Sequence, residues 1–165
     1  DELQIMGYHR VVKSLNGLSS DAFLAKVGEA FTVEKTDDAE PRAPRTFTMH
    51  LDGQWYRLEA KSGSFPADHP VKSLDCAILQ DNLLGPILGI DDPRTSHGID
   101  FVGGIRGTGE LERRCQADMK VAFALYPVSV DQLMAIADAG EIMPPKSTWF
   151  EPKLRSGVIV RMLED

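Results

Sequence analysis

Residues 144–157 of the 165-residue chain read PPKSTWFEPKLRSG and form a polar cluster in a stretch expected to be irregular. Lys146, Lys153 and Arg155 stand against a single carboxylate, Glu151, which leaves a local charge of +2 in a chain of net charge −7. Ser147, Thr148 and Ser156 add hydroxyl donors. Cations, hydroxyls and free backbone N–H groups are what a phosphate or carboxylate needs. Pro144, Pro145 and Pro152 stiffen the stretch, which lowers the entropy lost on binding. The competing reading is a proline-rich connector pinned to the core by Trp149 and Phe150.

A second candidate is the glycine cluster Gly103, Gly104, Gly107 and Gly109 around Arg106, between a predicted strand and a predicted helix. Glycines allow a backbone to approach an anion closely, and a helix start presents N–H donors. The spacing matches neither the dinucleotide fingerprint nor the P-loop, and Glu110 would compete with a bound anion. A tight turn explains the same residues. Asp75, Asp81 and Asn82 lie on a predicted helix and could hold Mg²⁺ or act as a base, or be solvated flank residues. Arg94 and Arg106 either point into a site or pair with nearby acids such as Asp92, Asp100 or Glu112. His9, His50, His69 and His97 form no i, i+4 pair, and neither C-x-x-C nor G-x-S-x-G occurs.

The elements that must position these groups follow from periodicity. Residues 3–12 read as a strand that runs into a turn at Asn16-Gly17. Ser19 and Ser20 can cap a helix on which Phe23, Leu24, Val27 and Phe31 recur at helical spacing. Residues 33–35 re-enter the sheet, and residues 36–45 are a solvated loop expected to be disordered. In residues 46–61, Phe47, Met49 and Leu51 alternate with polar residues before Asp52-Gly53, which predicts a β-hairpin. A helix is predicted over 71–84, a short strand over 99–102 and a charged helix near 107–119. A buried strand follows over 121–126, then a helix over 130–139 capped by Ser129 and Gly140. Residues 143–157 are expected to be irregular and 158–163 to close as a strand. The order predicts an α+β fold, a mixed sheet with helices packed mainly on one face, in one domain spanning 1–165.

Hydrophobic residues make up 42% and charged residues 26%, ordinary globular usage that excludes disorder as the main state. The net negative charge argues against a nucleic-acid partner. The longest apolar run is far too short to span a membrane, and no leader is apparent. Cys76 and Cys115 read as free, buried thiols of a cytoplasmic protein. The chain opens on Asp1 with strand-like residues directly after it, so more protein is expected upstream.

Several stretches carry a resemblance: YHRVVKSLNGL from Tyr8, LDGQWYRL from Leu51, SLDCAILQDNLLGPILGI from Ser73, DPRT followed by IDFVGGIRG, VAFALYP from Val121, and AGEIMPPKSTWFEPKLRSG from Ala139. Together they resemble the C-terminal part of a conserved bacterial family of unknown function, the domain of unknown function numbered 1015. The resemblance implies a larger protein whose N-terminal part carries a D-G-H-H-R motif, similar to one in ParB-like proteins and free-serine kinases. It also implies a link to serine metabolism. The chain departs from the family pattern at His9, where Asn is usual, at Cys76 and Cys115, where Val is usual, and at Gly98, where a basic residue is frequent. Those departures argue against a family-wide role for His9 or either cysteine.

Two readings stay open. By resemblance, the chain is part of an enzyme transferring a phosphoryl group to serine or a related metabolite, with nucleotide and Mg²⁺. Lys146, Ser147, Thr148, Lys153 and Arg155 would then hold the anion, Arg106 would assist, and Glu151 would be a candidate base or metal ligand. The missing N-terminal part would be the natural partner, and the fragment alone is expected to be inactive. Alternatively, the chain is a non-catalytic module that binds a small anionic metabolite or a nucleotide.

Overall fold

In the computed structural model, described for residues 3–153, four helices pack against a six-stranded sheet of order β3-β5-β4-β7-β2-β6, and β1 and β8 pair as a second, two-stranded sheet. The strands are β1 (Gln4–Met6), β2 (Tyr8–Val12), β3 (Phe31–Thr36), β4 (Thr46–Leu51), β5 (Gln54–Ala60), β6 (Ile99–Gly103), β7 (Val121–Leu125) and β8 (Trp149–Glu151). The helices are α1 (Ser20–Ala30), α2 (Asp75–Leu79), α3 (Gly107–Ala117) and α4 (Val130–Asp138). The fold is α+β as expected, and every described strand pairing is antiparallel.

Strand alternation builds two layers of core. On β7, Val121, Phe123 and Leu125 enter the larger cluster with Phe47, Met49, Leu51 and Leu58. That cluster is roofed by Phe23 and Val27 of α1, Ile78 and Leu79 of α2, and Ile136 of α4. Each large aliphatic side chain buried there contributes about 1.5–3 kcal/mol. The intervening residues Ala122 and Ala124 face the other way, with Val11, Trp55 and Val102, and are covered by Leu111 of α3. Three helices therefore pack on one face and α3 on the other. The alanines let the otherwise charged α3 lie close. Trp55 completes the contact by donating its indole N–H to Glu112 at 2.6 Å.

The predicted hairpin forms as β4 and β5, with Asp52 and Gly53 at positive φ in the turn. Ser19 caps α1 by accepting from the Ala22 N–H, and Ser129 caps α4 in a reciprocal box with Gln132. The helix predicted over 71–84 is instead the short α2 followed by a π-helical turn, Gln80–Leu84. The loop 36–45, expected to be disordered, is held by local bonds: Thr36 Oγ1 accepts from the Asp38 N–H, and Asp38 pairs with Arg42 at 2.7 Å.

The feature that matters most for function is the exit of the chain from the main sheet. Gly7 separates β1 from β2, and an added Cβ there would lie 2.2 Å from the Leu125 carbonyl oxygen. This close approach lets β1 turn away and pair with β8, with Met6 opposite Trp149 and Gln4 opposite Glu151. The polar segment near residue 146 is thereby strapped to the end of the main sheet. The strand predicted over 158–163 lies outside the described residues.

Candidate anion site at the end of the sheet

Cross-strand pairing sets the floor of the site. Tyr8 stands opposite Gly103, and Arg10 opposite Phe101. Gly103 is a structural requirement here, because an added Cβ would sit 2.3 Å from the Trp149 ring. The vacancy at Gly103 admits that indole, whose centroid lies 5.3 Å from Tyr8 at an interplanar angle of 74°. Tyr8 also meets Phe101 edge-on at 6.0 Å. Such edge contacts are favoured by the ring quadrupoles and fix the three rings as a shelf.

The shelf carries the lysines singled out in the sequence. Lys146, turned out by a positive φ of 59°, places Nζ 5.4 Å from the Tyr8 centroid and 5.9 Å from that of Phe101. It also donates to the Tyr8 hydroxyl at 3.4 Å. Lys153 Nζ lies 3.4 Å above the Trp149 ring. The rings hold both ammonium groups without neutralising them, so each keeps donors for an anion. Ser147 is buried: its hydroxyl donates to the Pro144 carbonyl at 2.5 Å and lies 3.2 Å from Cys76 Sγ. Thr148 is half-buried. Glu151 accepts the Trp149 indole N–H at 3.2 Å, so it orients the shelf. Arg155 lies outside the described residues.

Arg10, which rests against the Phe101 ring, lines a cavity of about 260 Å³ together with residues that include Cys76, Ala77, Gln80, Pro144 and Pro145. Arg10 is only 4% exposed, donates to the Tyr8 carbonyl and rests 5.0 Å from the Phe101 centroid. No carboxylate pairs with it among the described residues. Burial lowers its pKa to about 10, which leaves it cationic at neutral pH. Burial also pushes the Cys76 thiol up, against a smaller opposing pull from Arg10, so the thiol does not neutralise the guanidinium. Sequence reasoning passed over Arg10. The signal was there: one cation inside a strand whose following residues, Val11 and Val12, are apolar and buried.

The other sequence candidates do not join this site. Arg106 is exposed beside Glu110, at 4.0 Å, next to α3. Glu110 also pairs with Arg113 at 2.6 Å, and Thr108 donates to Glu40 at 3.1 Å, so the glycine turn is ringed by acids. Arg94 pairs with Asp92 at 2.8 Å. Asp75 is buried, contrary to a solvated flank; its Oδ1 accepts the Arg45 N–H at 2.8 Å, and its Oδ2 has no partner among the described residues. Burial raises its pKa to about 7, opposed by that bond. Asp81 is exposed, and no three His, Cys, Asp or Glu side chains converge on a possible metal position among the described residues. His9 is buried, with Nδ1 accepting the Leu125 N–H at 3.2 Å, and burial, with Arg10 beside it, lowers its pKa to about 4. Among the described residues, no helix is long and apolar enough to cross a membrane.

Known proteins place this architecture. A free serine kinase solved in complex with AMP is similar in fold, with a TM-score of 0.54 at 12% identity. The similarity covers 91% of this chain and 54% of the kinase chain. A conserved hypothetical protein from Pyrococcus furiosus is similar at a TM-score of 0.53 and 11% identity, covering 90% of this chain and 56% of that one. The chain thus spans about half the length of the solved chains it resembles. No curated protein matches. Residues 1–77 match the family described as protein of unknown function, DUF1015, so the chain carries in those residues the family resemblance that its motifs display.

Proposed function

We propose that this chain contributes an anion-binding surface to a phosphoryl-transfer enzyme linked to serine metabolism. The observation that carries the reading is the pair of lysines, Lys146 and Lys153, held over the Tyr8–Phe101–Trp149 shelf. Phosphoryl transfer depends on positioning and charge neutralisation more than on covalent help from the protein. In this reading Lys146 and Lys153 neutralise phosphate oxygens, and Thr148 and Arg155 belong to the same segment. Ser147 positions the segment, because its hydroxyl is engaged with Pro144 and Cys76. Arg106 stands apart beside Glu110 and takes no part. Fold similarity to a kinase solved with AMP supports a nucleotide as the anion. The described residues do not fit a magnesium site, since Asp75 is committed to the Arg45 backbone and Asp81 does not join it. Any Mg²⁺ would be held by groups beyond these residues.

The test is nucleotide-dependent phosphorylation of serine by the full-length protein, beside Lys146→Ala and Lys153→Ala. The reading predicts turnover in the wild type that falls by about tenfold to a hundredfold in either variant, the cost of about 1.4–2.7 kcal/mol of transition-state stabilisation. Absence of turnover with several nucleotides, together with stabilisation by a phosphorylated metabolite, would assign the chain to a non-catalytic binding role instead.

A further inference from the structure

The buried guanidinium of Arg10 is not explained by the surface lysines. Only one protein acceptor, the Tyr8 carbonyl, meets it among the described residues, whereas an arginine offers five N–H donors. A buried cation without a counter-charge is costly unless something else supplies one. Arg10 lines a cavity large enough to hold about eight water-sized volumes. The rest of the lining sorts by charge and polarity. Val71, Ala77, Pro93, Pro144 and Pro145 are apolar, Cys76 is a neutral thiol, and Gln80 adds a neutral amide whose Nε2 donates to the Ile90 carbonyl. Lys72 and Asp81, both exposed at the rim, carry one charge of each sign. The interior therefore presents one fixed positive charge within largely apolar walls. The roof is stiff, because Ser147 ties the Pro144 carbonyl to Cys76 of α2.

From this arrangement we infer that the cavity is a binding pocket for a small aliphatic carboxylate, with Arg10 gripping the carboxylate oxygens. A planar guanidinium matches a carboxylate in two parallel N–H···O bonds. A monoanion cancels the single buried charge, whereas a phosphate dianion would leave one negative charge uncompensated in an apolar cavity. The apolar walls suit a short hydrocarbon body, and the volume limits the ligand to about ten non-hydrogen atoms. The pocket is distinct from the lysine surface and stands whether or not that surface binds phosphate.

The test uses sodium butyrate as probe, with butyramide as its neutral counterpart and inorganic phosphate as the competing anion, all at ionic strength matched with chloride. Titration calorimetry on the wild-type protein is expected to show saturable butyrate binding and none with butyramide. Arg10→Met replaces the cation with an apolar side chain of similar length. It is expected to keep the fold and to weaken butyrate binding by at least about tenfold. Inorganic phosphate is expected to leave butyrate binding unchanged, which separates this pocket from the lysine surface. A second readout needs no variant: butyrate should slow alkylation of Cys76 by N-ethylmaleimide while leaving Cys115, which does not line the cavity, at its original rate. Equal binding of butyrate and butyramide, butyrate binding retained in Arg10→Met, no protection of Cys76, or displacement of butyrate by phosphate would each overturn the inference.

Discussion

Arg10 and Phe101 stand directly opposite each other on β2 and β6, with the guanidinium carbon 5.0 Å from the ring centroid. The same ring carries Lys146, whose Nζ lies 5.9 Å from its centroid. Two cations, distant in sequence, therefore share one aromatic side chain. Their mutual repulsion is least costly when an anion is nearby, which links the geometry of the sheet edge to the proposed chemistry.

The vacancy at Gly103 is what admits Trp149, so Gly103→Ala should expel the indole and loosen the segment that bears Lys146. The expected cost is about 1–3 kcal/mol of stability, the usual range for overpacking. Urea denaturation measures the loss, and intrinsic tryptophan fluorescence should report a more solvated indole. Unchanged stability and emission would show that Trp149 does not rest on Gly103.

Asp75 gives a pH signature. Its folded pKa, about 7, lies above the ordinary 3.8, so the folded state holds a proton that the unfolded state releases first. Stability from this group is present in full below about pH 4 and is lost as pH rises toward 7 and above. Asp75→Asn keeps an acceptor for the Arg45 N–H and should flatten that slope, which is worth on the order of 2–4 kcal/mol across the interval. Urea midpoints at pH 5 and pH 7.5 decide the matter; parallel shifts in wild type and variant would contradict it.

His9 acts in the opposite direction. It is neutral in the fold, with Nδ1 accepting from Leu125, and its pKa falls to about 4 from 6.5. As pH drops below about 6.5 the unfolded state takes up a proton that the folded state refuses, so stability is lost until pH falls past about 4. His9→Asn retains an acceptor and should reduce acid sensitivity. Because Asp75 and His9 oppose each other over much of the same range, the single variants separate what the wild-type pH profile merges.

Leu111 is the fully buried side chain through which α3 meets Ala122 and Ala124. Leu111→Ala should cost about 2–4 kcal/mol. It should raise hydrogen exchange in α3 before β7, since β7 is also paired with β2 and β4. Uniform exchange across both elements would contradict a locally anchored helix.

Local signals in the sequence were enough for the hairpin, because Asp52-Gly53 and the alternation of Phe47, Met49 and Leu51 act within a few residues of one another. The caps at Ser19 and Ser129 were legible for the same reason. The strand order was not, because pairing β2 with β6 and β7 is decided by contacts about a hundred residues apart. The helix expected over 71–84 is broken in part by tertiary bonds: the Gln80 amide donates to the Ile90 carbonyl at 2.7 Å, within a π turn that no 3.6-residue pattern reveals. Of the site, Lys146 and Lys153 could be found because they cluster in sequence. Arg10 carried only a weak signal, a lone cation ahead of apolar strand residues, because its significance depends on a roof supplied by Pro144 and Pro145.

The most direct test of the central claim is calorimetric titration of the protein with inorganic phosphate at low and at moderate salt. Binding in the wild type should weaken as salt rises, and Lys146→Ala combined with Lys153→Ala should weaken it by about tenfold or more at low salt without lowering the melting temperature appreciably. Phosphate binding of equal strength in the wild type and the double variant would show that the lysines on the aromatic shelf hold no anion.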